Sequence, residues 1–259
     1  MPKRIYQRLR YIARAGLRRR LRDVILMRGP QIYSVRREDL ARLFIRGDGV
    51  EIGPLTWPMR LPPGTTVRYV DYASREDLLA EYGDNFSAQT AHASAVPETD
   101  VIDDATHMAT FADESLDFVV ANHVLEHLED PVLALTNLLR VLRPGGILFL
   151  ALPDARETFD DPRERTTLEH VLRDHAEGPE VSRRQHYEEW ARHIEGHTGA
   201  ELTRRVDEYA AEDARHHFHV WELDTFLAML RGLDLPCRLE LGQTNGHEFV
   251  VILRRVAAA

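Results

Sequence analysis

Three groups of residues in this sequence have types and spacings that could do chemistry. His123, Glu126 and His127 stand at i, i+3 and i+4, so on a helix they would share one face. Such a face could hold a divalent metal such as magnesium through Glu126 and His127, with or without His123. His123 could equally act by itself as a general base or acceptor contact. His170 and Asp174 lie one helical turn apart, the spacing of a catalytic imidazole and the carboxylate that orients it. The third group is dispersed: Glu51, Gly53 and Pro54; Asp71 and Tyr72; Asp103, Asp104 and Ala105; and Asn122. Each of its members follows a short apolar run. Asp71 comes 18 residues after Gly53, close to the offset of about 20 at which an acid meets ribose hydroxyls. Taken singly, Gly53 reads as a turn, Asp71 as a helix N-cap and Asp103-Asp104 as another turn. Taken as an ordered set, they read as a ligand-binding edge.

Those residues can work together only if regular elements bring them to one edge. Residues 50–52, 65–70, 101–102, 118–121 and 147–152 read as strands, and 37–45, 75–82 and 131–142 as helices. Arg143-Pro144-Gly145-Gly146 reads as a tight turn. Strands alternating with helices predict an α/β fold, a doubly wound parallel sheet that binds its ligand at the strand carboxyl ends. Further on, 218–221 reads as a strand on which His217 and His219 would face one way, and 224–233 as a helix. Strands at 238–241 and 248–253, joined through 242–246, read as a closing antiparallel hairpin.

The order Glu51-Ile52-Gly53, Asp71, Asp103-Asp104, Phe118 through Pro131, and Leu142-Arg143-Pro144-Gly145-Gly146 resembles the class I S-adenosylmethionine-dependent methyltransferases, in particular the methyltransferase-11-like small-molecule and sugar O-methyltransferases. The resemblance covers about residues 45–153 and, more loosely, the region from 216 onward. It implies a Rossmann-like sheet that binds S-adenosyl-L-methionine. Gly53 and Pro54 would pass beside its methionine part, Asp71 and Tyr72 would hold its ribose, Asp103, Asp104 and Ala105 would flank its adenine, and Asn122 would meet its amino group. Some RNA and quinone methyltransferases of this fold bind a metal through a related Glu-x-x-Glu-His pattern. One departure stands out: Gly53-Pro54-Leu55-Thr56-Trp57 lacks the later glycines of the family's first loop. The same absence disfavours a nicotinamide-binding oxidoreductase. A cofactor-binding scaffold without turnover is the other alternative. The expected organisation is a basic helical arm or lid at 1–46, a cofactor-binding core at 47–153, a helical acceptor-binding insertion at 154–215, and a closing helix and hairpin at 216–259.

Composition bounds the partners. The chain has 259 residues, 44% hydrophobic and 29% charged, enough for a sizeable core. Its net charge of −9 divides into +11 over residues 1–46 (14 basic, three acidic) and −20 over the rest (19 basic, 39 acidic). An acidic body disfavours nucleic acid as partner. The basic helical pattern at 2–28 fits a lid, a dock on the acidic body, or contact with a membrane surface. The single Cys237 excludes an intrachain disulfide and fits the cytoplasm. Residues 154–215 hold 17 acids, 10 arginines and five histidines, with Tyr187 and Trp190 among them. That lining suits a polyhydroxylated acceptor better than a greasy one, so a hydroxyl of a sugar or oligosaccharide-like small molecule is the expected methyl acceptor.

Overall fold

Phe118, Val119, Val120 and Ala121 give their strand no polar face, so it must be covered on both sides, and it runs through the middle of a seven-stranded sheet. The structure, a computed structural model, describes residues 35–82 and 95–257. Its strands are β1 (Asp48–Ile52), β2 (Thr66–Asp71), β3 (Val101–Ile102), β4 (Leu116–Asn122), β5 (Leu142–Pro153), β6 (Cys237–Asn245) and β7 (Glu248–Arg255), in the order β3-β2-β1-β4-β5-β7-β6. The first five pair in parallel, while β7 is antiparallel to both β5 and β6. Strand order reverses between β1 and β4, and the crevice for a ligand opens at their carboxyl ends.

The side-chain alternation of the strands builds two layers. On one face Ile52, Val119, Ala121 and Leu150 meet Leu135, Leu138, Phe226 and Met229 from α3 (Pro131–Arg140) and α7 (Leu223–Gly232). On the other, Phe118, Val120, Phe149 and Ile252 lie under Leu40, Ala41 and Ile45, at and just beyond α1 (Arg37–Phe44). The helix α2 (Arg75–Tyr82) follows β2. Asp130 caps α3 by accepting from the Leu133 amide at 2.8 Å, with Pro131 at the first helical position. Above the carboxyl edge, α4 (Leu168–Glu177), α5 (Glu180–His193) and α6 (Gly199–Glu212) add a small core of their own from Tyr187, Ala191, Leu202, Val206, Tyr209 and Phe218.

Four local expectations are corrected. The third helix stops at Arg140 rather than 142. The 143–146 stretch is not a turn leading into a new strand: Leu142 already pairs with Leu116, and the register shift before Phe118 lets these residues bulge within β5. Residues 218–221 form no strand. The Phe218 and His219 amides both donate to the Glu126 carbonyl, at 2.8 and 3.2 Å, so the chain folds onto the β4 edge and His217 and His219 part company. Finally, β6 continues to Asn245, leaving only Gly246 and His247 as the hairpin turn and starting β7 opposite Pro153. The predicted helix at 2–28 lies outside the described residues. Among those described, no helix is long and apolar enough to cross a membrane.

Candidate active site

The β1 end is shaped by a buried acid and a left-handed glycine. Both Glu51 carboxylate oxygens lie 3.0 Å from the Met59 amide, which ties the following loop back over the strand. Burial raises the Glu51 carboxyl to about 7 despite that amide and Arg37. Gly53 has φ +58, and its amide donates to the Val70 carbonyl at 2.9 Å. At the end of β2, Asp71 is buried and accepts from the Tyr72 amide at 2.9 Å; burial raises it to about 6. It edges a narrow crevice with Pro54, Leu55, Tyr69, Leu78 and Thr99. The Tyr72 hydroxyl bonds Glu81 at 2.8 Å, and Arg215 lies over its ring at 3.8 Å, linking the far end of the helical segment to the β2 edge.

The acids after β3 are engaged within their own loop. The Asp103 carboxylate accepts from the amides of Asp104, Ala109 and Thr110 and from the Thr110 hydroxyl. Asp104 takes the Thr106 amide at 2.7 Å and faces His107 Nδ1 at 2.9 Å. Burial opposes ionisation of both, but these bonds outweigh it and hold them below the usual carboxylate range. Ala105 packs partly buried against the core. Asn122, closing β4, leaves its Oδ1 buried and without a hydrogen-bond partner among the described residues.

His123, Glu126 and His127 do not share a helical face. Leu125–His127 make a single 3-10 turn, and His123 stands outside it with φ +56. Its ring lies between Glu248 Oε2 at 2.8 Å and Glu126 Oε1 at 3.5 Å. Burial would pull the imidazole down, but the two carboxylates raise it to about 9, so at neutral pH it is a cation with no free lone pair. Glu248 is held in turn by Asn245 at 2.8 Å and Arg37 at 3.4 Å. His127 turns the other way, to the His216 carbonyl at 3.0 Å and edge-on to His217 with ring centroids 4.6 Å apart. The three expected metal ligands therefore split, His123 joining His247 and Glu248, and Glu126 and His127 joining His217.

In the helical segment, the predicted pair meets: His170 Nε2 lies 3.1 Å from Asp174 Oδ2. It also faces His186 Nε2 at 3.2 Å, so the pair is not open to a substrate on that side. A second imidazole–carboxylate couple escaped the sequence. His217 Nδ1 is 2.7 Å from Asp160 Oδ2, whose other oxygen takes a bond from buried Arg163 at 2.9 Å. No hydrogen bond occupies His217 Nε2 among the described residues. Asp160, Glu248 and Arg215 carry no motif; the crowding of histidines at 216–219 was the one signal that pointed near them.

The β2–β5 region has a counterpart among known families: residues 66–150 match the family model described as "Methyltransferase domain". No curated protein matches the sequence significantly. Among solved structures, a SAM-dependent methyltransferase from Methanosarcina mazei is 15% identical, with 87% of this chain and 100% of that one covered and a TM-score of 0.46. A SAM-dependent methyltransferase from Aquifex aeolicus is 12% identical, with 90% and 97% covered and a TM-score of 0.45. A Rhodobacter sphaeroides protein described as one of the Zn-dependent alcohol dehydrogenases reaches 0.49 at 13% identity, with 88% and 93% covered. Likenesses this distant carry no weight for activity.

Proposed function

We propose, on the premise that the chain carries a methyltransferase domain over residues 66–150, that it transfers the methyl group of S-adenosyl-L-methionine to a hydroxyl of a sugar or oligosaccharide-like acceptor. The observation that carries the methyl-transfer reading is the match of that domain to the strands whose carboxyl ends bring Gly53, Asp71 and Asn122 to one crevice. The residues present suit the cofactor. The unpartnered Asn122 Oδ1 is an acceptor for its amino group, buried Asp71 an acceptor for ribose hydroxyls, and the turn at Gly53 an approach for backbone. When bound, the cofactor supplies an electrophilic methyl group on a sulfonium.

An attacking hydroxyl must lose its proton. His123 is doubly engaged with carboxylates and His170 faces His186, whereas His217 keeps Nε2 available and is oriented by Asp160. His217 is therefore the base in this reading, with Asp160 holding its tautomer. Support for a sugar-like acceptor comes from the surroundings of His217: the ring faces of Phe159 and Trp190, and the charged groups Arg163 and Glu189. Hydroxyls find hydrogen bonds there and sugar faces find rings, whereas a long apolar acceptor finds no apolar wall.

The test is an acceptor screen with isotopically labelled S-adenosylmethionine, weighted toward oligosaccharides. Label is expected on a sugar oxygen; label only on aromatic or lipid acceptors overturns the acceptor, and no thermal stabilisation by S-adenosylmethionine overturns the cofactor.

A further inference from the structure

Beside the methyl-transfer site, and independent of it, three histidines converge in the helical segment. His170 and His186 come from α4 and α5, and His219 from the extended stretch that returns to the sheet. One nitrogen of each lies within 4.8 Å of the other two. The three rings stand nearly perpendicular to one another, at interplanar angles of 73–79° and centroid separations of 5.0–5.7 Å. Asp174 adds a carboxylate. Its Oδ2 is 3.1 Å from His170 Nε2 and 3.9 Å from His186 Nε2.

These atoms lack donors. His219 Nε2 lies 3.2 Å from the Glu129 carbonyl, a contact that requires the proton on Nε2 and leaves Nδ1 as a bare lone pair. That Nδ1 is buried without a partner, and so is Asp174 Oδ2; Oδ1 is the oxygen that takes Ser182 and Arg173. Only one proton can sit between the two Nε2 atoms of His170 and His186, 3.2 Å apart. Lone pairs gathered in a buried space are unfavourable unless something positive satisfies them. Zinc bound by imidazole nitrogen and carboxylate oxygen at about 2.0–2.1 Å sets tetrahedral ligand atoms about 3.3 Å apart, close to the 3.1 and 3.2 Å separations found here. The Glu129 carbonyl behind His219 is the kind of outer partner that fixes the tautomer of a metal-bound imidazole.

We propose that His170, His186, His219 and Asp174 form a closed site for a divalent transition-metal ion of the zinc class, tying α4 and α5 to the chain that leads back to the sheet. Four protein ligands leave no open position, so the ion is structural. Arg173 Nη2, 3.3 Å from His170 Nδ1, has to yield that nitrogen to its proton, and its contacts to Asp174 Oδ1 and Ser182 give it a place to go.

The experiment strips the full chain with a chelator, titrates it with Zn²⁺ and counts bound metal after desalting. One ion per chain and a rise in melting temperature are expected. His219→Ala and Asp174→Asn should weaken binding by more than ~100-fold, and His127→Ala should retain it. Co²⁺ in the unaltered protein, which needs no variant to fold, should give the intense visible bands of a tetrahedral site. No bound ion, a weak octahedral Co²⁺ spectrum, or an ion kept by His219→Ala and lost by His127→Ala would each overturn the assignment, the last moving it to Glu126, His127 and His217.

Discussion

The carboxyl edge of the sheet and the helical segment above it both bury acids, and they satisfy them differently. At the sheet edge, Glu51, Asp71 and Asp103 accept from backbone amides only a few residues away. In the helical segment, Asp160 faces His217 and Arg163, and Asp174 faces His170, Ser182 and Arg173. An acid bound to its own loop fixes backbone shape and needs only local sequence to do so. An acid bound to another side chain fixes the tautomer, orientation or charge of that partner, which is a chemical output. Glu248 joins the second class, reaching His123 across the sheet.

The division can be broken where it claims most. His217→Ala should lower kcat by ~10²–10⁴-fold while leaving thermal stabilisation by S-adenosylmethionine intact, measured by initial rates and melting curves. Asp160→Asn should act in the same direction, less severely. An unchanged kcat would return the helical acids to a purely structural role.

Next comes Glu248→Gln, which leaves His123 and Arg37 short of a buried carboxylate and should cost about 3 kcal/mol in denaturant unfolding. His123 is raised in the folded state from 6.5 to about 9. Its contribution to stability is therefore complete below about 6.5 and disappears as pH rises through 9. Glu248→Gln should flatten that decline, and a stability profile unaltered between those pH values would contradict the ion pair.

Among the sheet-edge acids, Asp71→Asn should weaken cofactor binding about tenfold by titration calorimetry, a loss of about 1.4 kcal/mol. Smallest should be Asp103→Ala, which removes a loop cap. A stability loss of about 1 kcal/mol with cofactor affinity preserved is expected. A large affinity loss from Asp103→Ala would mean that a backbone-bound acid also works as a ligand contact.

The same contrast explains what the sequence could disclose. The strands and the places of Gly53, Asp71 and Asn122 were legible because apolar runs and strand ends are local properties. His170 and Asp174 were found together because one helical turn is also local. His123, Glu126 and His127 misled because the spacing presumed an α-helix, whereas the chain makes one 3-10 turn after a left-handed residue. Asp160 and Glu248 were invisible, since their histidine partners lie 57 and 125 residues away. The stretch at 218–221 has strand-like composition, but its amides went to the Glu126 carbonyl, a competition no periodicity reports.

The position of β7 has one more consequence. It follows β6 in the chain yet lies between β5 and β6, and its first residue neutralises His123. On the ribosome, β5 and β6 therefore have no neighbour to close against until β7 has emerged, and the charge balance at the β4 edge is among the last features to be installed. A nascent chain halted before residue 248 would expose the open flank of β5, an adhesive template for other chains. Assembly of the catalytic edge and protection from aggregation would then be completed by the same strand.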